Sequence, residues 1–222
     1  MKKILLFSLL FVPSMNAQVR EKNDFEIAPT IGYGLSAFYG TEDNYIPKEY
    51  KESSNLSSIN FGVGVDIYFS NRISLRSGIY FIRMGTEGFQ YENPFNGRGT
   101  YVSQKINYVT VPAHFNYHFG VQRNWNFYLG PSFGILGKAT NNDIDIKYYV
   151  NEYQVGAGYG VGYKYILTDR IGIGVNLDNF IGLTYVPKNV ISDDGYGNKT
   201  ETQQKIKNLQ GSINFKFIYL LK

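Results

Sequence analysis

The chain has 222 residues, with 22 Lys and Arg against 18 Asp and Glu and no cysteine. Its formal charge of +4 falls to +2 once Lys2 and Lys3 of an N-terminal leader are set aside, too little to direct a nucleic-acid partner. The lack of cysteine excludes a disulfide framework and a lipid-anchored N-terminal cysteine.

The leader comes first. Lys2 and Lys3 precede an apolar run from Ile4 to Val12, and Ser14, Met15, Asn16 and Ala17 follow. A charged start, a short apolar stretch and a small exit residue describe a secretory signal peptide. A transmembrane anchor needs about 18 or more apolar residues, and Pro13 cuts this run short. The reading is therefore a cleaved signal at 1–17 and one barrel domain at 18–222, with no internal domain boundary.

Beyond the leader, apolar residues keep falling on odd numbers. Strands are predicted at 25–38, 57–69, 73–86, 101–119, 124–138, 152–167, 171–185 and 206–220. In the second, Ile59, Phe61, Val63, Val65, Ile67 and Phe69 alternate with Asn60, Gly62, Gly64, Asp66 and Tyr68. The seventh and eighth repeat the pattern, with Ile171, Ile173, Val175 and Leu177, then Ile213, Phe215, Phe217 and Tyr219. Period two means strands with one apolar face. Tight turns (70–72, 120–123 and 168–170) alternate with longer polar segments at 39–56, 87–100, 139–151 and 186–205, and 188–204 reads as a mobile outer loop. Short turns on one side and long loops on the other are the habit of outer-membrane barrels, with the short turns in the periplasm. The strands exceed the roughly 9–11 residues that a bilayer needs, so some extend above it. Asn179, Lys105 and Asn107 break the parity near the loop side, where lipid ends or, at Asn179, where a bulge occurs.

The two faces predict two solvents. The outward parity carries the bulky apolar residues and, beside the short turns and the C-terminus, Tyr117, Phe119, Trp125, Tyr163, Tyr165 and Tyr219. These six would form a periplasmic-side aromatic belt at headgroup level. The inward parity carries Glu26, Asp66, Arg76, His114, His118, Lys164, Asp178 and Lys216. A charge facing hydrocarbon costs about 2–4 kcal/mol at the midplane for Arg or Lys, and the lumen of an eight-stranded barrel is narrow enough for side chains to fill. The primary reading of these groups is a buried polar network plugging the lumen, with a narrow water or ion path as the alternative. Gly156, Gly158, Gly160 and Gly162 share the inward face of one strand, leaving room for long neighbours such as Arg76, Tyr80 and Tyr128, or for a ligand channel.

Catalytic and metal motifs find no support. His114 and His118 are the only histidines, and on a strand they sit two pleats, about 13 Å, apart. No third ligand stands out, so no metal and no cofactor are assigned. A lipid A acyl-transferring or deacylating enzyme would need a nucleophile and base, and no spacing singles them out. The chain is read as a non-enzyme.

The glycine-alternating run Phe61-Gly62-Val63-Gly64-Val65, the turn Ser70-Asn71-Arg72, and the segments Tyr108-Val109-Thr110-Val111-Pro112 and Tyr128-Leu129-Gly130-Pro131-Ser132 together resemble the PorT-like, porin-family outer-membrane barrels of Bacteroidota. The resemblance implies architecture and no catalytic residues. One of its members is linked to a secretion system. The chain departs from such barrels at Tyr219-Leu220-Leu221-Lys222, which replaces the usual terminal aromatic, so Phe215, Phe217 and Tyr219 would serve as the signal to the assembly machinery.

The sequence thus predicts an all-β fold, a closed antiparallel up-and-down transmembrane barrel of about eight strands in the outer membrane of a Gram-negative bacterium. Its expected role is structural or surface-interacting, or minor permeation. The partners expected are outer-membrane lipid and lipopolysaccharide, the assembly machinery and a surface ligand on the long loops, with the protein monomeric. A soluble lipocalin-like barrel is the rival fold, and it would turn the apolar parity inward.

Overall fold

A computed structural model describes residues 20–41, 51–93, 98–188, 190–193, 199–202 and 205–221. The leader expected at 1–17 lies outside them. The long strands are β1 (Phe25–Thr41), β2 (Lys51–Tyr68), β3 (Ile73–Asn93), β4 (Arg98–Pro112), β5 (His114–Phe119) and β6 (Trp125–Asn141). After a short β7 (Ile144–Asp145) and one 3-10 turn (Lys147–Tyr149) come β8 (Tyr153–Ile166) and β9 (Ile171–Gly182). A two-stranded hairpin of β10 (Val190–Asp193) and β11 (Lys199–Thr202) precedes β12 (Lys205–Leu221).

Every long strand pairs antiparallel with its neighbours in sequence, and β12 pairs with β1. Because β4 and β5 together form one stave, the ring has eight staves: β1, β2, β3, β4/β5, β6, β8, β9 and β12. Closure leaves none of the eight staves as a sheet edge, which a bilayer requires because nothing there could satisfy one. The stagger can be followed directly. From Phe25, directly opposed partners run through Ile67, Leu75, Phe115, Leu129, Tyr159, Asn179 and Gly211 and return to β1 at Leu35, not at Phe25. Such a shear tilts the staves and fixes a bore that side chains fill.

The parity decides which way each side chain faces. Ile31, Phe61, Ile79, Leu129 and Phe215 are exposed on the outer wall, while Tyr68, Asn116, Tyr128 and Asn208 are buried inside. The soluble lipocalin-like alternative, with the apolar set inward, is therefore overturned.

Irregularities fall where the ladder cannot run straight. Pro112 ends β4, and Ala113 donates instead to the Pro131 carbonyl at 2.9 Å before β5 resumes the same register against β3. The β1–β12 ladder skips Ala28 and Pro29, where proline has no N–H to give. Register shifts lie between Asn55 and Phe61 and between Asn107 and Tyr108. The bulge considered at Asn179 is absent, since β9 pairs without interruption through that residue on both sides.

The long polar segments also differ from expectation. Most of 87–100 is not loop: β3 and β4 stay paired from Glu87 opposite Ser103 out to Asn93 opposite Arg98. Segment 139–151 folds back on the barrel through β7 and the 3-10 turn. Segment 188–204 contains the β10–β11 hairpin.

Candidate functional site

The lumen gathers the chemistry. Its inner half, toward the short turns, begins with a row of directly opposed residues: Glu26 on β1, Asp66 on β2, Arg76 on β3 and His114 on β5. Lys164 on β8 and Lys216 on β12 flank Gly174 of β9 at the same cross-strand register. Opposite charges are therefore interleaved around the ring: Asp66 faces Arg76 on the adjacent strand, Asp178 lies on β9 between the two lysine-bearing strands, and Lys164 reaches Glu26 across the bore.

Glu26 lies at the centre of the inner mouth. It accepts from Arg20 Nε at 2.5 Å, from the Tyr68 hydroxyl at 2.9 Å and from Lys164 Nζ at 3.4 Å, while Lys164 donates to Tyr68 at 2.6 Å. Arg20 precedes the first strand yet is 2% exposed, and its Nη1 also reaches the Asp169 carbonyl at 3.4 Å. Asp66 accepts from Arg76 Nε at 3.3 Å, from Ser74 at 3.3 Å and from Asn116 at 3.0 Å. The Arg76 guanidinium lies 4.1 Å over the Tyr128 ring, whose other neighbour is the stacked His114. Asn176 is best satisfied with its amide oxygen accepting from Arg76 Nη1 at 2.8 Å, Lys216 Nζ at 2.9 Å and Tyr128 at 2.9 Å. Asp178 accepts from the Asn214 amide. A buried charge persists only when paired and hydrogen-bonded in this way.

The two histidines belong to separate contacts. His118 Nε2 lies 2.9 Å from Ser74 Oγ and stacks on Tyr68, and His114 Nε2 lies 2.9 Å from Ser132 Oγ. Each is a serine–histidine pair, but Nδ1 is unpartnered on both rings. A nucleophilic triad needs a carboxylate at that nitrogen to orient and charge-stabilise the ring, and neither pair has one. Among the described residues no group of three or more His, Asp or Glu is placed to hold a metal ion.

The outer half of the lumen has a different composition. Leu56, Met84, Ile106, Tyr108, Leu136, Ala139 and Ile206 are buried there, joined by Val150 and Val186 from beyond the strands. Val150 bridges to Pro187, and Asn151 donates to the Tyr185 and Pro187 carbonyls at 2.8 and 3.0 Å. These bonds satisfy the loop backbone and hold the two valines against the strands. Between the two halves lies a cavity of about 90 Å³, lined by Thr30, Tyr80, Thr110, His114, Asp178 and Lys216 among others. It has room for a few water molecules.

The four inward glycines of β8 accommodate specific neighbours. A Cβ at Gly156 would strike the Phe180 ring, at Gly158 the His114 ring, at Gly160 the Tyr128 hydroxyl and the Leu177 carbonyl, and at Gly162 the Asn126 and Asn176 amides. Of the long neighbours expected there, Tyr128 fills the space at Gly160 and carries Arg76 over its ring, and Tyr80 also lies against Gly62 and Gly64 on β2.

On the outer wall, Tyr117, Phe119, Trp125 and Tyr163 make successive ring contacts with centroids 6.4, 6.5 and 4.9 Å apart. Tyr219 is exposed and Tyr165 half-buried at the same end, both opposite β9 residues. Arg72 of the first short turn donates to the Tyr117 hydroxyl at 3.2 Å.

Sequence reasoning missed Arg20, which follows no strand parity, and the neutral partners Ser74, Asn116, Asn126, Asn176 and Ser132. The neutral partners carry the even parity, so the signal was present but shared by every inward polar residue.

A closed eight-stave ring with an apolar outside and a packed inside is matched at the level of sequence families. The model of the outer membrane protein beta-barrel domain covers residues 16–186. The chain belongs to that family. It is an integral β-barrel protein of the bacterial outer membrane, as the family and the exposed apolar wall both require. OprG from Pseudomonas aeruginosa superposes with a TM-score of 0.54 at 11% identity, covering 91% of this chain and 97% of that one. Such identity reports shared fold alone. Ail of Yersinia pestis gives 0.39 at 12% identity (89% and 99% covered), and Neisserial surface protein A gives 0.43 at 12% (86% and 95% covered). A comparison with curated protein sequences finds no match.

Proposed function

We propose that this family member is a non-conducting, non-catalytic barrel that anchors and presents its loop-side surface outside the cell. The observation carrying this reading is the double occlusion of the lumen. The Arg20–Glu26–Lys164–Tyr68 cluster sits in the inner mouth, and toward the loops Val150 and Val186 pack on the inward apolar residues of β4 and β6 and narrow the bore. A solute entering the cavity between them would have to break a buried ion pair or unpack an apolar layer. Either costs several kcal/mol. The absence of a carboxylate at either histidine Nδ1 supports the non-enzymatic reading over lipid A acyl chemistry.

The proposal extends to the finer assignments. The leader at 1–17 is cleaved, Tyr117, Phe119, Trp125, Tyr163, Tyr165 and Tyr219 act as the periplasmic-side belt, and the mature barrel is a monomer of the PorT-like group handed to the outer-membrane assembly machinery. Planar-bilayer recording of the purified full-length barrel tests the central point. The expected result is no stable open level. Sustained, reproducible pore currents from single barrels would overturn it.

A further inference from the structure

The loop-side rim of the outer wall carries a feature that neither the lumen nor the belt uses. The row Phe81 on β3, Val109 on β4 and Ile135 on β6 is directly opposed and apolar, and it faces lipid. Toward the loops, past the β4–β6 register shift at Asn107, the opposed row is Arg83, Asn107 and Lys138, and the next is Gly85, Lys105 and Thr140, of which Gly85 and Thr140 are buried. Three cations on three adjacent staves thus stand where the apolar wall ends. Adjacent strands lie about 4.8 Å apart, so Arg83 and Lys138 are held roughly 10 Å apart across Asn107.

Among the described residues these charges are weakly paired, although Asp143 and Asp145 lie nearby at the β6–β7 turn. Arg83 donates to Asn107 at 2.9 Å, a neutral acceptor. Lys105 lies 3.9 Å from Asp143, whose side chain is 92% exposed, a weak and screened pair. Arg83 and Lys138 have no ion-pair partner among the described residues, and the nearby Glu152 is taken by Lys188 at 3.3 Å. Like charges gathered on one wall repel unless anions neutralise them. At the end of the apolar wall on the loop side, the anions available are the phosphates of outer-leaflet lipid. The exposed Tyr153, opposite Ile135, adds an aromatic ring at the same level, where headgroups favour one.

We propose that Arg83, Lys105 and Lys138 form a binding site on the outer barrel wall for the phosphorylated headgroup of an outer-leaflet glycolipid of the lipid A type. Asn107 orients the guanidinium, Arg83 gives the forked contact suited to phosphate, and the two lysines supply point charges. The apolar row beneath receives the acyl chains. The site rests on the outer-membrane location and not on lumen occlusion, so its failure would leave the conductance result untouched.

Native mass spectrometry of the detergent-solubilised full chain, titrated with bisphosphorylated lipid A, tests it. A cation near a lipid surface contributes enough that three together are worth about a hundredfold in association. The expected result is that R83Q/K105Q/K138Q binds bisphosphorylated lipid A about a hundredfold more weakly, while R72Q/R123Q/R170Q, in the short turns, binds as the parent does. The parent protein should also discriminate by a similar factor against fully dephosphorylated lipid A, an arm that needs no variant. Equal binding of the two lipids by the parent, or unchanged binding by the rim variant, would overturn the site. Inorganic phosphate bound as tightly as the lipid would overturn the lipid as its ligand.

Discussion

The two halves of the lumen share one strand parity and differ in charge. The inner half is held by ion pairs and amides centred on Glu26, Asp66 and Asn176, whereas the outer half combines Ile106, Leu136, Val150 and Val186 with uncharged buried groups such as Ser36, Ser58, Asn208 and Gln210. The difference shows that an inward position in a small barrel need not be polar. What it needs is a partner across the bore, and either chemistry supplies one once water is excluded. The inner half depends on specific partners, because a charge left alone there is far costlier than a missing methyl. The outer half depends on volume.

This comparison can be broken most directly at Glu26. Glu26→Gln removes the carboxylate shared by Arg20 and Lys164 and leaves both cations buried, so a loss of about 3–5 kcal/mol is expected. Urea unfolding in lipid vesicles, read from the mobility of unboiled bands on SDS gels, measures it. A loss under 1 kcal/mol would mean that the inner half is hydrated and its pairs are not needed. In the outer half, Ile106→Ala should cost about 3 kcal/mol through the cavity it leaves. A smaller cost than Glu26→Gln is the expected ranking, and the reverse would contradict the contrast drawn above.

At the boundary, Gly160→Ala places a methyl 2.3 Å from both the Tyr128 hydroxyl and the Leu177 carbonyl. Since a backbone atom cannot swing aside, the variant should lose about 2 kcal/mol, and Tyr128→Phe on top of it should recover only part. The smallest effect is expected outside the bore. Tyr117→Phe removes an exposed hydrogen bond from Arg72 and should cost less than about 1 kcal/mol in the same unfolding assay. The belt itself is better tested by depth. Trp125, the one tryptophan of the chain, should be quenched more by lipids brominated near the headgroup than by lipids brominated at mid-chain. Stronger mid-chain quenching would remove it from the belt.

Much of the fold was legible because alternation reports a two-solvent environment one residue at a time. The eight staves, their order and the inward placement of Glu26, Asp66, Arg76 and Lys164 all follow from odd and even positions and short turns. The continuation of β3 and β4 through 87–93 and 98–100 was not legible, because polar strands above a membrane look like loops in composition. The role of Arg20 was hidden for a related reason. It lies before the first strand, where no periodicity operates, and only the return of the chain past Asp169 and Glu26 gives it partners. The serine–histidine pairs were equally invisible, since Ser74 and His118 are 44 positions apart and meet only across the β3–β5 ladder.

By itself, then, the sequence determined which residues face lipid and which face the bore, since that distinction is written in local period two. Tertiary structure alone decided how the bore is filled. The stagger that carries Phe25 round to Leu35 sets which inward side chains meet, bringing Glu26 to Lys164, and loop-to-loop bonds bring Val150 to Val186. Facing is a property of one strand, whereas pairing across a lumen depends on the closure and shear of the whole ring.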